Sequence, residues 1–254
     1  MGLELDLAGK RALVTGGSRG VGAATARLLA RAGADVGISY RQRAAEARRV
    51  VEEARASGVR SWAESGDLSD HEAVGRLFRR VDAEFGGLDI FVGNAGIWPV
   101  PEIPVAEMDH ARWRRTIAVN LDSIFFTTRE ALRRMSDGGR VVLLSSTAGQ
   151  RGEAYHCDYA ASKGAIISLV KGLCGEVGDR GITVNAVAPG WIDTEMSEDP
   201  LRGEDRAAIE ASIPLGRVAT AEDVAGPIVM LCAEMARHIT GEVVNVNGGA
   251  VLAG

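Results

Sequence analysis

The chain has 254 residues, 46% of them hydrophobic and 25% charged, enough apolar material for a core that needs no disulfide or metal staple. A formal net charge of −5 argues against a nucleic-acid partner, whose phosphates would repel it. No stretch approaches the ~20 apolar residues that cross a bilayer, so no membrane role is expected.

In chain order, Met1–Lys10 sets Leu3, Leu5 and Leu7 among Glu4 and Asp6 and lacks the basic start and apolar run of a secretory signal. Strands are expected at Arg11–Thr15, Asp35–Tyr40, Val59–Ser65, Leu88–Gly93, Gly139–Ser145, Gly181–Ala188 and Glu242–Val246. Apolar residues at helical spacing mark Val21–Ala32, Ala44–Ser57 and His71–Phe85, with longer helices from about Met108 to Met135 and from Cys157 to Asp179. Runs such as Val141-Val142-Leu143-Leu144 are apolar throughout, as strands buried on both faces are. This alternation predicts the α/β class: a single doubly wound Rossmann-type domain over residues 1–254, with about seven parallel strands and helices on both faces. The irregular stretch 191–214 follows the sixth strand, on the edge where such folds bind ligands. It reads equally as a mobile substrate lid or as an ordinary surface excursion. Three widely spaced cysteines, Cys157, Cys174 and Cys232, fit neither a disulfide framework nor zinc spacing; reduced thiols in a cytoplasmic protein without a metal are expected.

The first strand runs into Thr15-Gly16-Gly17-Ser18-Arg19-Gly20-Val21-Gly22, and a helix follows at once. Glycines in that setting allow a sharp turn and bring backbone N–H groups against a pyrophosphate, while the helix dipole favours the anion. The spacing is T-G-x-x-x-G-x-G. Readers of NAD carry an acid near the end of the second strand for the ribose hydroxyls. Here that place reads Ser39-Tyr40-Arg41-Gln42-Arg43, without an acid. Arg41, with Arg19 from the turn, is expected to meet the 2′-phosphate of NADP(H).

Tyr159 and Lys163 lie four apart on one helix, so both project from one face, roughly 6 Å apart along its axis. A nearby ammonium would pull a phenol down from its usual value of about 10 toward the range of general acid–base catalysis. Ser146, thirteen residues before Tyr159 and just past the fifth strand, can hydrogen-bond a substrate oxygen as charge develops on it. Ser145 is the neighbouring alternative, disfavoured by strand register.

Over nearly the whole length, these motifs resemble the short-chain dehydrogenase/reductase family in its single-domain branch. The landmarks are the glycine turn, Asp67, Asn94-Ala95-Gly96, Asn120, Ser146, Tyr159-Ala160-Ala161-Ser162-Lys163, Pro189-Gly190 with Thr194, and Gly248-Gly249. Within the family the chain is most similar to 3-oxoacyl-carrier-protein reductases and bacterial sugar and ketone reductases. The resemblance implies Tyr159 as acid–base, Ser146 orienting substrate, Lys163 also on the nicotinamide ribose, and Asn120 holding a relay water. It implies Asp67 at the adenine, with Leu68 beside it and Asn94–Gly96 at the adenosine ribose. Further cofactor contacts are implied at Gly16, Ser18, Gly20, Val21, Gly22, Tyr40, Pro189, Gly190, Ile192 and Thr194.

Trp98, Tyr155 and Trp191 fall on loops at the same edge and are expected to wall the substrate pocket, or else to cover core or a subunit contact. Trp62 and Trp113 read as packing, and His156 as a surface residue at a helix start. Apolar residues on several faces of the long helices (Ile124, Phe125, Phe126; Ile166, Ile167, Leu169) suggest a subunit contact, and the family is commonly tetrameric. The expected activity is an NADP(H)-dependent oxidoreductase acting on a carbonyl or secondary alcohol, 3-oxoacyl-like or a small ketone. A sugar or polyol dehydrogenase and a non-catalytic nicotinamide-binding regulator are the alternatives. A carrier-protein substrate sits poorly with Ser136-Asp137-Gly138, where basic residues are common, although Arg133, Arg134 and Arg180 are near.

Overall fold

The computed structural model describes residues 5–202 and 204–252. Its strands are β1 (Arg11–Val14), β2 (Asp35–Tyr40), β3 (Ser61–Ser65), β4 (Leu88–Gly93), β5 (Met135–Leu144), β6 (Thr183–Pro189) and β7 (Val243–Val246). They pair in parallel throughout, in the order β3-β2-β1-β4-β5-β6-β7. The helices are α1 (Gly20–Arg31), α2 (Ala44–Ala56), α3 (His71–Phe85), α4 (His110–Ile117), α5 (Ser123–Arg134), α6 (Thr147–Arg151), α7 (Cys157–Val177), α8 (Glu204–Ala211) and α9 (Ala221–Cys232).

Two apolar layers hold the sheet. Ala26 and Leu29 of α1, Ala47 and Val50 of α2, and Val224 and Ile228 of α9 pack with Val14, Val36 and Val142 on one face. Leu77 and Phe78 of α3, Ile124 of α5 and Ile166 of α7 pack with Leu13, Phe91 and Val141 on the other. Burying both faces is what a parallel sheet requires, and it explains the uninterrupted apolar strands. The strand order reverses between β1 and β4, so a crevice opens beyond their carboxyl ends, where such sheets bind ligands.

The helix ends follow local chemistry. Asp70 caps α3 by accepting from the N–H groups of Glu72 and Ala73, and Gly86, at φ 68°, ends it in the left-handed region. Four features differ from the sequence expectation. The long helix expected from Met108 to Met135 is divided into α4, a π-helical turn at Ala118–Asp122, and α5. β5 starts at Met135, four residues before Gly139, with a register shift against Leu88 and Ile90. α9 was not expected at all. Trp113 is 41% exposed rather than packed, whereas Trp62 is buried, with a Cβ-less Gly37 beneath its ring.

Within 191–214, a short 3-10 turn (Glu195–Ser197) and α8 bring Leu201 and Ile213 onto Val218. Gly203 of that stretch, like residues 1–4, lies outside the described residues.

Candidate active site

The glycine turn joins β1 to α1 at the crevice. Gly16 (φ 67°) and Gly20 (φ 53°) occupy the left-handed region, and a Cβ on Gly22 would collide with the Gly16 carbonyl oxygen. No side chain caps α1, so its first-turn N–H groups are available to an anion. Asn94 fastens the turn to β4. Its Nδ2 donates to the Thr15 carbonyl at 2.8 Å, while Thr15 Oγ1 accepts from Asn94 N and Ala95 N at 2.9 and 3.0 Å. Turn and strand ends therefore hold a fixed geometry on both sides of the switch point.

A cleft of about 820 Å³ runs from there along the carboxyl edge. Every residue expected to touch the cofactor lines it, from Gly16 and Ser18–Gly22 through Tyr40, Arg41, Asp67 and Leu68 to Asn94–Gly96, Pro189, Gly190, Ile192 and Thr194. Ser146, Tyr159, Lys163, Trp98 and Trp191 line the same space. These residues fit a dinucleotide: uncapped helix amides in the middle, guanidinium groups at one end and hydroxyls at the other.

At the guanidinium end the chain's own carboxylates engage the arginines. Arg19 and Arg43 share one oxygen of Glu195, at 2.8 and 3.0 Å. Arg41 lies 3.4 Å and Arg115 3.2 Å from Asp67. Burial would raise the Asp67 carboxyl, but the Ser69 hydroxyl and amide and the Arg115 charge outweigh that and hold it at about 2. The helix cap in this region is Asp70, leaving Asp67 on the cleft.

At the hydroxyl end, Ser145 and Ser146 point to different tasks. Ser145 Oγ donates to the Lys163 carbonyl at 2.8 Å, tying β5 to α7. Ser146 caps α6 by accepting from Ala148 N, and lies on the cleft beside Tyr159. Lys163, only 5% exposed, donates from Nζ to the Leu144 carbonyl at 2.8 Å, with Nζ 5.8 Å from the centre of the Tyr159 ring. Burial lowers its ammonium to about 8.

The expected lowering of the phenol is not what the structure gives. Burial pushes Tyr159 up to about 12, the Glu153 carboxylate pushes the same way, and the Ser146 hydroxyl only partly opposes them. At neutral pH the group is a protonated phenol, ready to donate.

Asn120 sits inside the π-helical turn, fully buried and not on the cleft wall. Its Oδ1 accepts from Ile97 N at 2.7 Å, and its Nδ2 donates to Ile97 O and Ser162 Oγ at 2.9 and 3.2 Å. Such turns are common at functional sites because they re-aim one side chain without ending the helix. Asn120 Oδ1 and Lys163 Nζ converge beside Gly96, where a Cβ would come within 3.1 and 3.5 Å of them.

The expectations around the substrate wall need two corrections and two additions. Tyr155 does not line the cleft; at φ 64° its side chain is turned outward and 52% exposed. Trp98 and Trp191 do line it, edge to face at 6.3 Å between ring centres. His156 is buried rather than at the surface, stacked on Trp98 at 4.4 Å. Glu153 accepts from Trp98 Nε1 at 3.1 Å and places a carboxylate on the cleft. Buried Asp158 accepts from Thr116 Oγ1 and Arg112 Nε at 2.7 and 3.1 Å, pinning the first turn of α7, and with it Tyr159, to α4. A carboxylate next to Tyr159 was visible in the sequence, but nothing local showed that Thr116 and Arg112 would reach it.

A doubly wound sheet with a nucleotide cleft at its switch point, and a serine, tyrosine and lysine at one end of that cleft, defines the class: a nucleotide-dependent oxidoreductase. Residues 16–251 match the family model described as enoyl-(acyl carrier protein) reductase. The chain is 37% identical to the 3-oxoacyl-(acyl-carrier-protein) reductase FabG of Staphylococcus aureus over 242 residues, 94% of this chain and 97% of that protein. Among solved structures, a dehydrogenase/reductase from Sinorhizobium meliloti superposes with TM-score 0.92 at 39% identity, covering 98% of both chains. A short-chain dehydrogenase from Burkholderia cenocepacia in complex with NADP gives 0.90 at 39% identity, covering 97% of this chain and 99% of that one. The chain belongs to the short-chain dehydrogenase/reductase family and is an oxidoreductase of that kind.

Proposed function

We propose that the protein is an NADP(H)-dependent carbonyl reductase for a small ketone or 3-oxoacyl thioester, with nucleotide and substrate held within one domain. The observation that carries this reading is one cleft with arginines and no β2 acid at its adenosine end, and Ser146, Tyr159 and Lys163 at the other. Relatives named as 3-oxoacyl reductases and a neighbour solved with NADP support it.

NADPH, when bound, supplies the hydride. Ser146 Oγ donates to the substrate carbonyl oxygen and orients it, and Tyr159 Oη delivers the proton as charge develops there. Lys163 binds the ribose and stabilises the phenolate left behind. Asn120, beside Gly96 and Lys163, borders the place from which a relay water would restore the proton. Trp98 and Trp191 form an apolar wall, with the 191–214 segment as a substrate lid.

A small substrate is favoured over a carrier-bound one because the basic residues near β5 are already engaged: Arg134 with Asp82 and Glu130, Arg133 with Glu130, and Arg180 with Asp137. The Glu153 carboxylate on the cleft is the one observation favouring the second reading, a hydroxyl-rich sugar or polyol. The reading also includes a cytoplasmic homotetramer, supported by Phe125 and Trp113, both exposed on neighbouring helices.

The test is a screen of ketones, 3-oxoacyl thioesters and sugars with each nicotinamide. All three arginines at the adenosine end of the cleft are partly exposed, so screening moderates their effect. The expected preference in kcat/KM for NADPH is about 10- to 100-fold, falling at least tenfold in Arg41→Asp. Equal kcat/KM for both nicotinamides in the wild type refutes the cofactor assignment, and a monomer in sedimentation of the same preparation refutes the tetramer.

A further inference from the structure

Three arginines gather at the adenosine end of the cleft, and Arg43 is the one with the unusual backbone. It is the N-cap residue of α2 at φ 70°, ψ 52°, a left-handed conformation that a long side chain adopts at a cost and that clusters at active sites, ligand clamps and switch regions. From there its guanidinium reaches Glu195 Oε2 at 3.0 Å, while Arg19, from the glycine turn, reaches the same oxygen at 2.8 Å. One anionic oxygen bridged by two guanidinium groups, above a turn that presents N–H groups, is the arrangement a phosphate oxygen would take. Here the oxygen belongs to the chain.

We propose that Glu195 is a specificity-determining latch: its carboxylate occupies the 2′-phosphate place between Arg19 and Arg43, and a nucleotide that carries a 2′-phosphate must displace it to bind. The inference rests on reading this arginine cluster as the 2′-phosphate site. Glu195 is placed for the task. It begins the 3-10 turn just after a fixed base, where Asp193 N donates to Ala219 O and Ala219 N to Trp191 O at 2.8 and 3.1 Å. Beyond that base, apart from the two ion pairs of Glu195 itself, the hydrogen bonds and ion pairs up to Leu201 join near neighbours among the described residues, so the carboxylate can swing away without disturbing β6. Arg206, from α8, is paired with Asp193 rather than with Glu195, leaving the two nucleotide-side arginines as the latch's partners.

Two consequences follow. A 2′-phosphate has to break two charge-assisted contacts before it makes its own, so the latch narrows the preference the arginines would otherwise give. A nucleotide with a free 2′-hydroxyl breaks neither, since a hydroxyl can donate to the carboxylate where it stands.

Calorimetric titration with adenosine 2′,5′-bisphosphate and with 5′-AMP isolates this end of the cleft from turnover. In Glu195→Gln the bisphosphate should bind roughly 3- to 30-fold tighter than in the wild type, with 5′-AMP changed less than about twofold. Glu195→Ala should behave alike, and since the side chain is half exposed, both should unfold at the wild-type temperature. In the Arg43→Gln background the gain from Glu195→Gln should largely vanish, because the shared oxygen couples the pair. A bisphosphate affinity that is unchanged or weaker in Glu195→Gln overturns the latch. The wild-type ratio of the two ligands reports separately on the cofactor reading. A ratio near one that rises in the variant leaves the latch standing and defeats NADP(H) preference for the native chain; a ratio near one in both defeats the two together.

Discussion

Tyr159→Phe should lower kcat for ketone reduction by about 10²–10⁴-fold while leaving nucleotide affinity within a fewfold of wild type. The substitution removes one oxygen from a residue packed between Ser146 and Lys163 and leaves the glycine turn and arginine cluster untouched. The size of the effect follows from what the hydroxyl supplies: a proton delivered within the site, for which water is a poor substitute in a buried setting. With the phenol pushed up to about 12, the proton is in place across the neutral range, so the reduction rate should not fall between pH 6 and 8 for want of an acid. Alcohol oxidation, which needs the phenolate, should instead gain with rising pH. A variant retaining more than about a tenth of wild-type kcat would remove Tyr159 from the role of acid.

Lys163→Met should be nearly inactive and more stable. Lys163 is buried, its ammonium is satisfied by the Leu144 carbonyl, and no carboxylate offsets its burial among the described residues. A lysine whose folded value drops from 10.5 to about 8 binds its proton more weakly in the native state than in the unfolded chain. It therefore costs stability at pH values below about 8. That cost, up to about 3 kcal/mol, disappears as pH rises through 8 toward 10.5. Methionine fills similar space without the charge, so the variant should resist denaturant better at pH 7 and lose the wild type's gain in stability between pH 8 and 10.5. Activity should fall by about a hundredfold or more, since both phenolate stabilisation and the ribose contact are lost. Wild-type turnover in Lys163→Met would mean that the residue only packs.

Much of this was readable before any coordinates. The strands were legible because a sheet covered on both faces demands unbroken apolar runs, and Val141–Leu144 or Val36–Ile38 can satisfy little else. The glycine turn, Ser146 and the Tyr159–Lys163 pair were legible because their spacing is itself the geometry. The start of α9 is also marked in the sequence, by a capping box of Thr220 with Asp223 ahead of an apolar run. The break in the long helix at Ala118–Asp122 had no such sign, since a π-helical turn keeps helical composition and is settled by Asn120 reaching across to Ile97.

Other features depend on contacts between residues far apart in the chain. Arg19 and Glu195 are 176 positions apart, and no local pattern pairs them. Trp98 finds His156 and Glu153 only after the loop from β4 folds over the start of α7. The direction of the phenol's shift is likewise set by the fold and not by local spacing. Helical spacing brings the lysine near, but burial of the whole group, a property of the fold, outweighs one ammonium directed at a carbonyl.

The proposed function requires that this cleft move a hydride from NADPH to a carbonyl carbon while Tyr159 supplies the proton. The direct measurement is mass spectrometry of the alcohol formed from the best ketone of the screen, using NADPH deuterated at C4 of the transferring face. One deuterium on the carbinol carbon with wild-type enzyme, at a rate reduced at least tenfold in Tyr159→Phe, is the predicted result. An alcohol carrying no deuterium at that carbon from either face of the cofactor, or equal rates for the two proteins, would contradict the account.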